Sequence, residues 1–260
     1  MTDIESLIPR GPLHNKAHSQ GIRACREVFG EQVPEVVVFD TAFHATMPPK
    51  GLTCSTSPYE YYEKYAAAPL RLPRHLPPLC EPPLRPADGQ GHQRPEDDYL
   101  PPGQRLSITA IDGGKVIDTS MGLTPLDGFM MGSRTGTLDP SVVTFIMEKE
   151  HLTPSEMDQI LNKKSGLLGI SGVSSDDRDV TKAAAEGNQR AQLAHDILEY
   201  QISKFIGGYL VALGGCDAIV FTAGVGENQS HHRQVVGEYL KFLGVKIDPE
   251  LNEKMVLGKE

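Results

Sequence analysis

Ten of the chain's twenty prolines fall between Ala66 and Leu106. Proline lacks a backbone N–H and fixes φ, so at this density neither helix nor strand propagates. Arg, Leu and His stand between the prolines without a core pattern. This composition is that of a disordered segment. It divides the 260 residues into a short part, 1–65, and a longer part, 107–260, expected to fold around its own core. The net charge of −9 and the lack of a basic stripe argue against nucleic acid as a partner. No apolar run is long enough to span a bilayer, and Met1-Thr2-Asp3-Ile4-Glu5 has no signal-peptide character. Cys25, Cys54, Cys80 and Cys216 form no CxxC pair, which fits a reducing cytoplasm rather than a disulfide framework or a zinc site. No residue is assigned as a metal ligand.

In the short part, Gly21–Phe29 reads as a helix with Ile22, Cys25 and Val28 inward, and Val33–Phe39 as a buried strand. Asp40 follows that strand directly, either as a turn cap or at the sheet edge where α/β proteins bind ligands. Pro58–Tyr65 has helical character. Beyond the prolines, Ser107–Ile111 and Val116–Asp118 flank a hairpin turn at Asp112-Gly113-Gly114-Lys115. Gly122–Pro140 is a Gly/Met-rich loop, and a helix is expected from Ser141 to Lys149. Thr153-Pro154-Ser155-Glu156 is a capping box that starts the next helix. Ser165–Gly172 reads as a loop or short strand, and Ser174–Asp179 as a loop with Asp179 a natural N-cap. One long helix is expected over about 180–213, stopped by Gly214-Gly215.

Ala218–Asn228 then reads as strand, glycine turn and helix start. Gly224 and Gly226 admit close backbone approach, and a helix N-terminus favours an anion such as a phosphate. Alone, a GxG of this kind is more often a plain turn. A helix over about 230–243 ends at Gly244, and Val245–Asp248 has the character of a further strand.

Nine blocks stand in an order that resembles acetate kinase, the acetokinase family within the acetate and sugar kinase/Hsp70/actin superfamily. They include Pro12-Leu13-His14-Asn15, Val38-Phe39-Asp40-Thr41-Ala42-Phe43-His44, Asp118-Thr119-Ser120-Met121-Gly122 and Met131-Gly132-Ser133-Arg134-Thr135-Gly136. Further blocks are Lys163–Gly169, Ser174-Ser175-Asp176-Asp177-Arg178-Asp179 and Phe221-Thr222-Ala223-Gly224-Val225-Gly226-Glu227-Asn228. The resemblance implies an α/β, ribonuclease-H-like kinase fold, mainly its second domain, at 107–260. Residues 1–65 would be a remnant of the first domain and the interdomain segment. The family's N-terminal phosphate-binding strand and C-terminal closing segment have no counterpart here.

By resemblance, the activity is reversible phosphoryl transfer from ATP to acetate, giving acetyl phosphate and ADP, with Mg²⁺, in a cytoplasmic homodimer. A related short-chain carboxylate kinase, such as a propionate kinase, is the first alternative. A non-catalytic nucleotide-binding fragment or decayed gene product is the second. Asp40 matches the acid/base or metal-positioning Asp. Arg134, on composition alone a surface arginine, matches the transition-state Arg, whose planar fork suits phosphate oxygens. Asp176, Asp177 and Arg178 match the adenosine segment. Ala223, Gly224, Val225, Gly226 and Glu227 match the second nucleotide loop, with Ala223 where the family usually has Gly. His14 and His44 are left as structural. Where the family carries Tyr-Gly-Phe-His-Gly-Thr-Ser-His-Arg-Tyr-Val-Ser, this chain has Pro-rich sequence. Codons for Arg71–Glu81 can be written that encode that motif in the neighbouring frame, and codons for Tyr99–Arg105 that encode Ile-Cys-His-Leu-Gly-Asn-Gly. Residues 66–106 are therefore expected to be a frame-shifted translation, and the chain as written to turn over little or not at all.

Overall fold

The structure is a computed structural model that describes Glu5 and residues 15–30, 32–34, 44, 46–48 and 106–255. The expected strand over 33–39, except its first two residues, lies outside these, as do Asp40, His14, the 58–65 helix and the Pro-rich segment up to Arg105. Among the described residues no helix is long and apolar enough to cross a membrane.

The first helix, α1, runs Asn15–Phe29, six residues longer at its start than the periodicity predicts. Cys25 is exposed, and Val28 and Phe29 are 74% and 64% exposed, so the expected inward face does not form a core among the described residues. The hairpin forms as the sequence predicts. Strands β1 (Thr109–Asp112) and β2 (Lys115–Thr119) pair antiparallel. Gly113 and Gly114 both take positive φ, as the tightest hairpin turns require. Val116 is fully buried against Met47, and the Thr46 hydroxyl serves both the N–H and the carbonyl of Val116. A side chain far away in sequence thereby fills the hairpin's open edge.

Helices follow the hairpin. Asp139 caps α2 (Pro140–Lys149), and the Thr153/Glu156 capping box starts α3 (Pro154–Lys163) with both of its reciprocal bonds. The 165–172 stretch is not a loop or strand but a helix, α4 (Gly166–Ser171), ended by Gly172 in the left-handed region. The single long helix expected over 180–213 is two, α5 (Asp177–Ala185) and α6 (Gln189–Leu213). They break at Gly187, with φ of +93°, and Asn188 begins the second by accepting from the N–H groups of Arg190 and Ala191. The apolar period that suggests one helix, Ala194 to Leu213, lies wholly within α6.

Ala191, Ala194 and Leu198 of α6 are fully buried against Phe129, Met130, Leu167 and Val180. Further along α6, Ile206 packs with Val236 of α8 (Ser230–Tyr239) and with Leu240, the residue that caps it. Before α8 comes a short helix, α7 (Ala223–Asn228), and after it a 3₁₀ turn, Lys241–Leu243, and α9 (Pro249–Lys254). The expected strands at 218–222 and 245–248 are not paired into a sheet among the described residues. Yet alternation persists in the first: Ile219 and Phe221 pack against the α6/α8 core while Val220 is 77% exposed. A strand exists only with a partner ladder, and side-chain alternation alone does not supply one.

Asn188→Ala removes the cap that separates α5 from α6. It is expected to cost about 1 kcal/mol in equilibrium urea unfolding, with an unchanged m-value.

Candidate functional site

The loop from Gly128 to Thr137 is held by backbone bonds to residues far along the chain. Met131 O accepts from Leu167 N at 2.9 Å, Gly132 O from Leu168 N at 2.9 Å, and Ser133 O from Ser165 N at 3.0 Å. Thr135 N donates to Leu161 O at 3.0 Å, and within the loop Met131 N donates to Arg134 O at 3.0 Å. Met130 N is taken by the Gln201 side chain of α6 at 2.8 Å. Gly166, with φ of +64°, makes this fit possible. A Cβ there would stand 2.0 Å from Met131 O and 2.7 Å from Arg134 O. The loop thus presents Arg134, half-buried, with Nη1 3.4 Å from Pro125 O. Asp118, at the end of β2, has its carboxyl pushed up by burial, more than the bond from Thr119 N–H lowers it.

The Arg134 loop touches the second predicted segment. Gly132 packs so closely on Ser175 that a Cβ would lie 2.5 Å from its carbonyl. The next residue, Asp176, is the N-cap of α5, three residues earlier than the expected Asp179. Its carboxylate accepts from Arg178 N at 2.9 Å and holds the exposed Arg178 guanidinium through Nε at 3.0 Å and Nη2 at 2.6 Å. That fork lowers the Asp176 pKa and raises that of Arg178.

Asp177 departs from the expectation of a nucleotide-facing carboxylate. It is 1% exposed and turns into the interior, so a ribose has no access to it. Asp177 Oδ1 lies 3.1 Å from Nε2 of both His195 on α6 and His232 on α8. His232 Nδ1 is 2.7 Å from Glu199 Oε1, and the exposed His231 approaches the same oxygen at 3.4 Å. Burial pushes the Asp177 carboxyl up, but its contacts with the two histidines hold it well below the usual carboxylate range. Burial lowers the His232 pKa, and Asp177 and Glu199 overcome this to raise it to about 9. This buried set was missed in the sequence. Its only signal there is His195 and Glu199, four apart, on the apolar stripe of a helix.

The third segment is α7. Ala223 has φ of +58°, the conformation that glycine favours. Gly224 has open space where a Cβ would stand, whereas a Cβ on Gly226 would lie 3.3 Å from the Phe221 carbonyl carbon. The first N–H of this six-residue helix is already satisfied, because Glu227 Oε1 accepts from Ala223 N at 2.7 Å. Arg233 of α8 fastens the helix through the carbonyls of Gly226 and Glu227 at 2.8 and 2.7 Å, and is itself held by Asn252 Oδ1 at 2.6 Å. A continuous path therefore links Arg134, Asp176 and the 223–227 turn: Gly132 to Ser175, Asp177 to His232, and Arg233 to Gly226. The open cleft of about 360 Å³ lined by Met130, Lys164, Ser165, Ile197 and Gln201 lies beside this path and includes none of the predicted site residues.

The sequence profile of the Acetokinase family matches residues 1–68 and 102–260. The acetate kinase of Halothermothrix orenii is 44% identical over 265 residues, covering 99% of this chain and 64% of that protein. The acetate kinase of Thermoanaerobacter pseudethanolicus is 49% identical over 264 residues, covering 99% and 63%. The chain thus spans just under two thirds of the length of the curated relatives it matches. Among solved structures, Porphyromonas gingivalis acetate kinase superposes with a TM-score of 0.80 at 35% identity, over 98% of this chain and 63% of that one. A propionate kinase from Francisella tularensis gives 0.80 at 35% identity, over 96% and 64%. The fold class is accordingly the α/β, ribonuclease-H-like, actin/Hsp70-type one.

Two substitutions separate the glycine requirements of this region. Gly166→Ala is expected to destabilise by more than 2 kcal/mol, because the blocking atoms are backbone. Ala223→Gly is expected to stabilise by roughly 0.5–1 kcal/mol, since the left-handed conformation costs an L-residue about 1–2 kcal/mol and glycine's extra chain entropy offsets part of that. Calorimetric melting then shows a rise of about 2 °C for Ala223→Gly and a clear fall for Gly166→Ala.

Proposed function

The chain belongs to the Acetokinase family, and from that premise we propose that it is part of an acetate kinase, transferring the γ-phosphoryl of ATP reversibly to acetate. The observation that carries the reading is the clamped presentation of Arg134 next to the Asp176–Arg178 turn, with α7 joined to both through packed side chains. Phosphoryl transfer asks the protein for position and charge compensation more than for covalent chemistry. A guanidinium on a loop fixed by backbone bonds answers both. It meets developing charge on the transferring oxygens without reorganising. Asp176 and Arg178 stand at the adenosine side, and Ala223, Gly224, Val225, Gly226 and Glu227 at the phosphate side. Asp177 supports that turn from within. Asp40, outside the described residues, keeps its proposed part near the transferred group.

Mg²⁺ would arrive with ATP and neutralise phosphate charge. The imidazole-rich set around Asp177 does not suit it, since Mg²⁺ requires oxygen ligands in near-ideal octahedral geometry. The proposed assembly is a homodimer and the compartment the cytoplasm. The interruption of the family match at 69–101 supports reading the Pro-rich segment as a frame-shifted translation. Resequencing codons 60–110 decides that point: absence of the family motifs from every other frame removes it. Propionate kinase is kept as the second reading because a propionate kinase structure superposes as well as an acetate kinase one.

ATP binding by calorimetry, with hydroxylamine trapping of acyl phosphate from acetate and propionate in parallel, tests the proposal. Acetyl phosphate above background supports it, and Arg134→Ala is then expected to lower kcat about a hundredfold or more. A preference for propionate favours the second reading. ATP binding without acyl phosphate from either acid favours a non-catalytic nucleotide-binding fragment. No ATP binding by a cooperatively folded chain overturns all three.

A further inference from the structure

The buried group around Asp177 holds more ligating capacity than its internal bonds use. Asp177, His195 and His232 each offer one donor atom, and these atoms all lie within 4.8 Å of one another, fully buried. Three separate helices supply them: α5, α6 and α8. Glu199 fixes the chemistry of the set. Its carboxylate lies 2.7 Å from His232 Nδ1 and accepts that N–H, which turns Nε2 inward. Nε2 meets Asp177 Oδ1, a carboxylate acceptor, at 3.1 Å. A proton on Nε2 makes this contact a hydrogen bond, and a metal ion would take that proton's place.

A proton on His232 satisfies that one contact and no more. His195 Nε2, 3.1 Å from the same oxygen, is not aligned to hydrogen-bond it, and Asp177 Oδ2 is likewise without a partner. Both atoms belong to side chains at most 3% exposed. A single dication placed among the donors would satisfy all of them together.

We propose that Asp177, His195 and His232 form a structural site for a transition-metal dication of the Zn²⁺ type, with Glu199 orienting His232 from behind. Two imidazoles and a carboxylate are a borderline donor set, which selects Zn²⁺ over Mg²⁺ or Ca²⁺. The spacing suits it. Tetrahedral bonds of about 2.0–2.1 Å place neighbouring donors roughly 3.3 Å apart; both histidine nitrogens lie 3.1 Å from Asp177 Oδ1 and within 4.8 Å of each other. The two oxygens of Asp177 subtend too small an angle to fill two tetrahedral positions, so a bound water would complete the set of three protein donors. The Glu199–His232 pair is the carboxylate–imidazole arrangement that commonly holds a ligating histidine in its tautomer. With no donor opening to solvent, the ion joins helices rather than catalysing a reaction. It would tie the Asp176–Arg178 turn to α6 and α8. The site is independent of the phosphoryl-transfer reading, since none of its donors needs to touch nucleotide.

The test uses the full chain, stripped with chelator and then loaded with Zn²⁺ or Co²⁺ alone. About one equivalent of Zn²⁺ per chain is expected to survive desalting, with a raised Tm that chelator reverses. Co²⁺ is expected to give the intense visible bands of a tetrahedral N/O site. Asp177→Asn and His195→Gln, near in volume to the originals, are expected to bring stoichiometry and Co²⁺ bands to background with helicity by circular dichroism retained. The exposed His151→Gln control leaves both unchanged. No retained metal in the folded chain, weak octahedral Co²⁺ bands, or variants that bind like wild type would each overturn the site. If a variant does not fold, the wild-type stoichiometry and Co²⁺ spectrum decide alone. ATP binding, measured on the same stripped chain, reports separately on the kinase reading.

Discussion

The backbone seam between the 128–137 loop and the 161–168 segment is the constraint on which the longer part of the chain depends. Its main-chain hydrogen bonds join residues about thirty positions apart. The seam closes only because residue 166 has no Cβ. Closing it turns α4 against α6, brings Phe129 and Met130 into the core, and leaves Arg134 on a fixed platform. In the proposed phosphoryl transfer such rigid presentation would matter, since reorganisation at the moment of reaction subtracts from what a charge contributes.

α6 is the second organising element, and it does two jobs along one face. Its first half carries Ala191, Ala194 and Leu198 into the apolar core. Directly after Ala194 and Leu198 stand His195 and Glu199, equally buried. Buried ionisable groups are tolerated only when paired, and here the partners come from α5 and α8. The polar set therefore specifies how three helices meet, which general apolar packing does less sharply. Because Asp177 adjoins Asp176, the same set also fixes the direction of the turn that holds Arg178.

Chemistry and packing divide neatly between neighbours in this chain. Asp176 faces out and is paired with an exposed guanidinium, while Asp177 faces in and is paired with imidazoles. Gly224 faces open space, while Gly226 is pressed on Phe221. Ala223 holds a glycine-like φ between them. In each pair a helix start sends adjacent residues in different directions, so a motif that names consecutive residues mixes contact groups with supporting ones.

Much of this was legible in the sequence. The Gly113-Gly114 turn, the Thr153/Glu156 capping box, the stop at Gly214 and the motif order that gives the family all rest on residues a few positions apart, where local chemistry decides the backbone. Only tertiary structure decided the rest. Residues 166–171 form a helix beside the seam, and the one helix expected over 180–213 is two, with Gly187 at positive φ and Asn188 capping the second. Ile219 and Phe221 alternate as a strand would, yet without a partner ladder among the described residues they remain unpaired. The inward turn of Asp177, and its meeting with His195, Glu199 and His232, depends on groups up to fifty-five positions apart. No spacing rule reaches that far, because such a contact is set by how helices pack rather than by the chain that joins them.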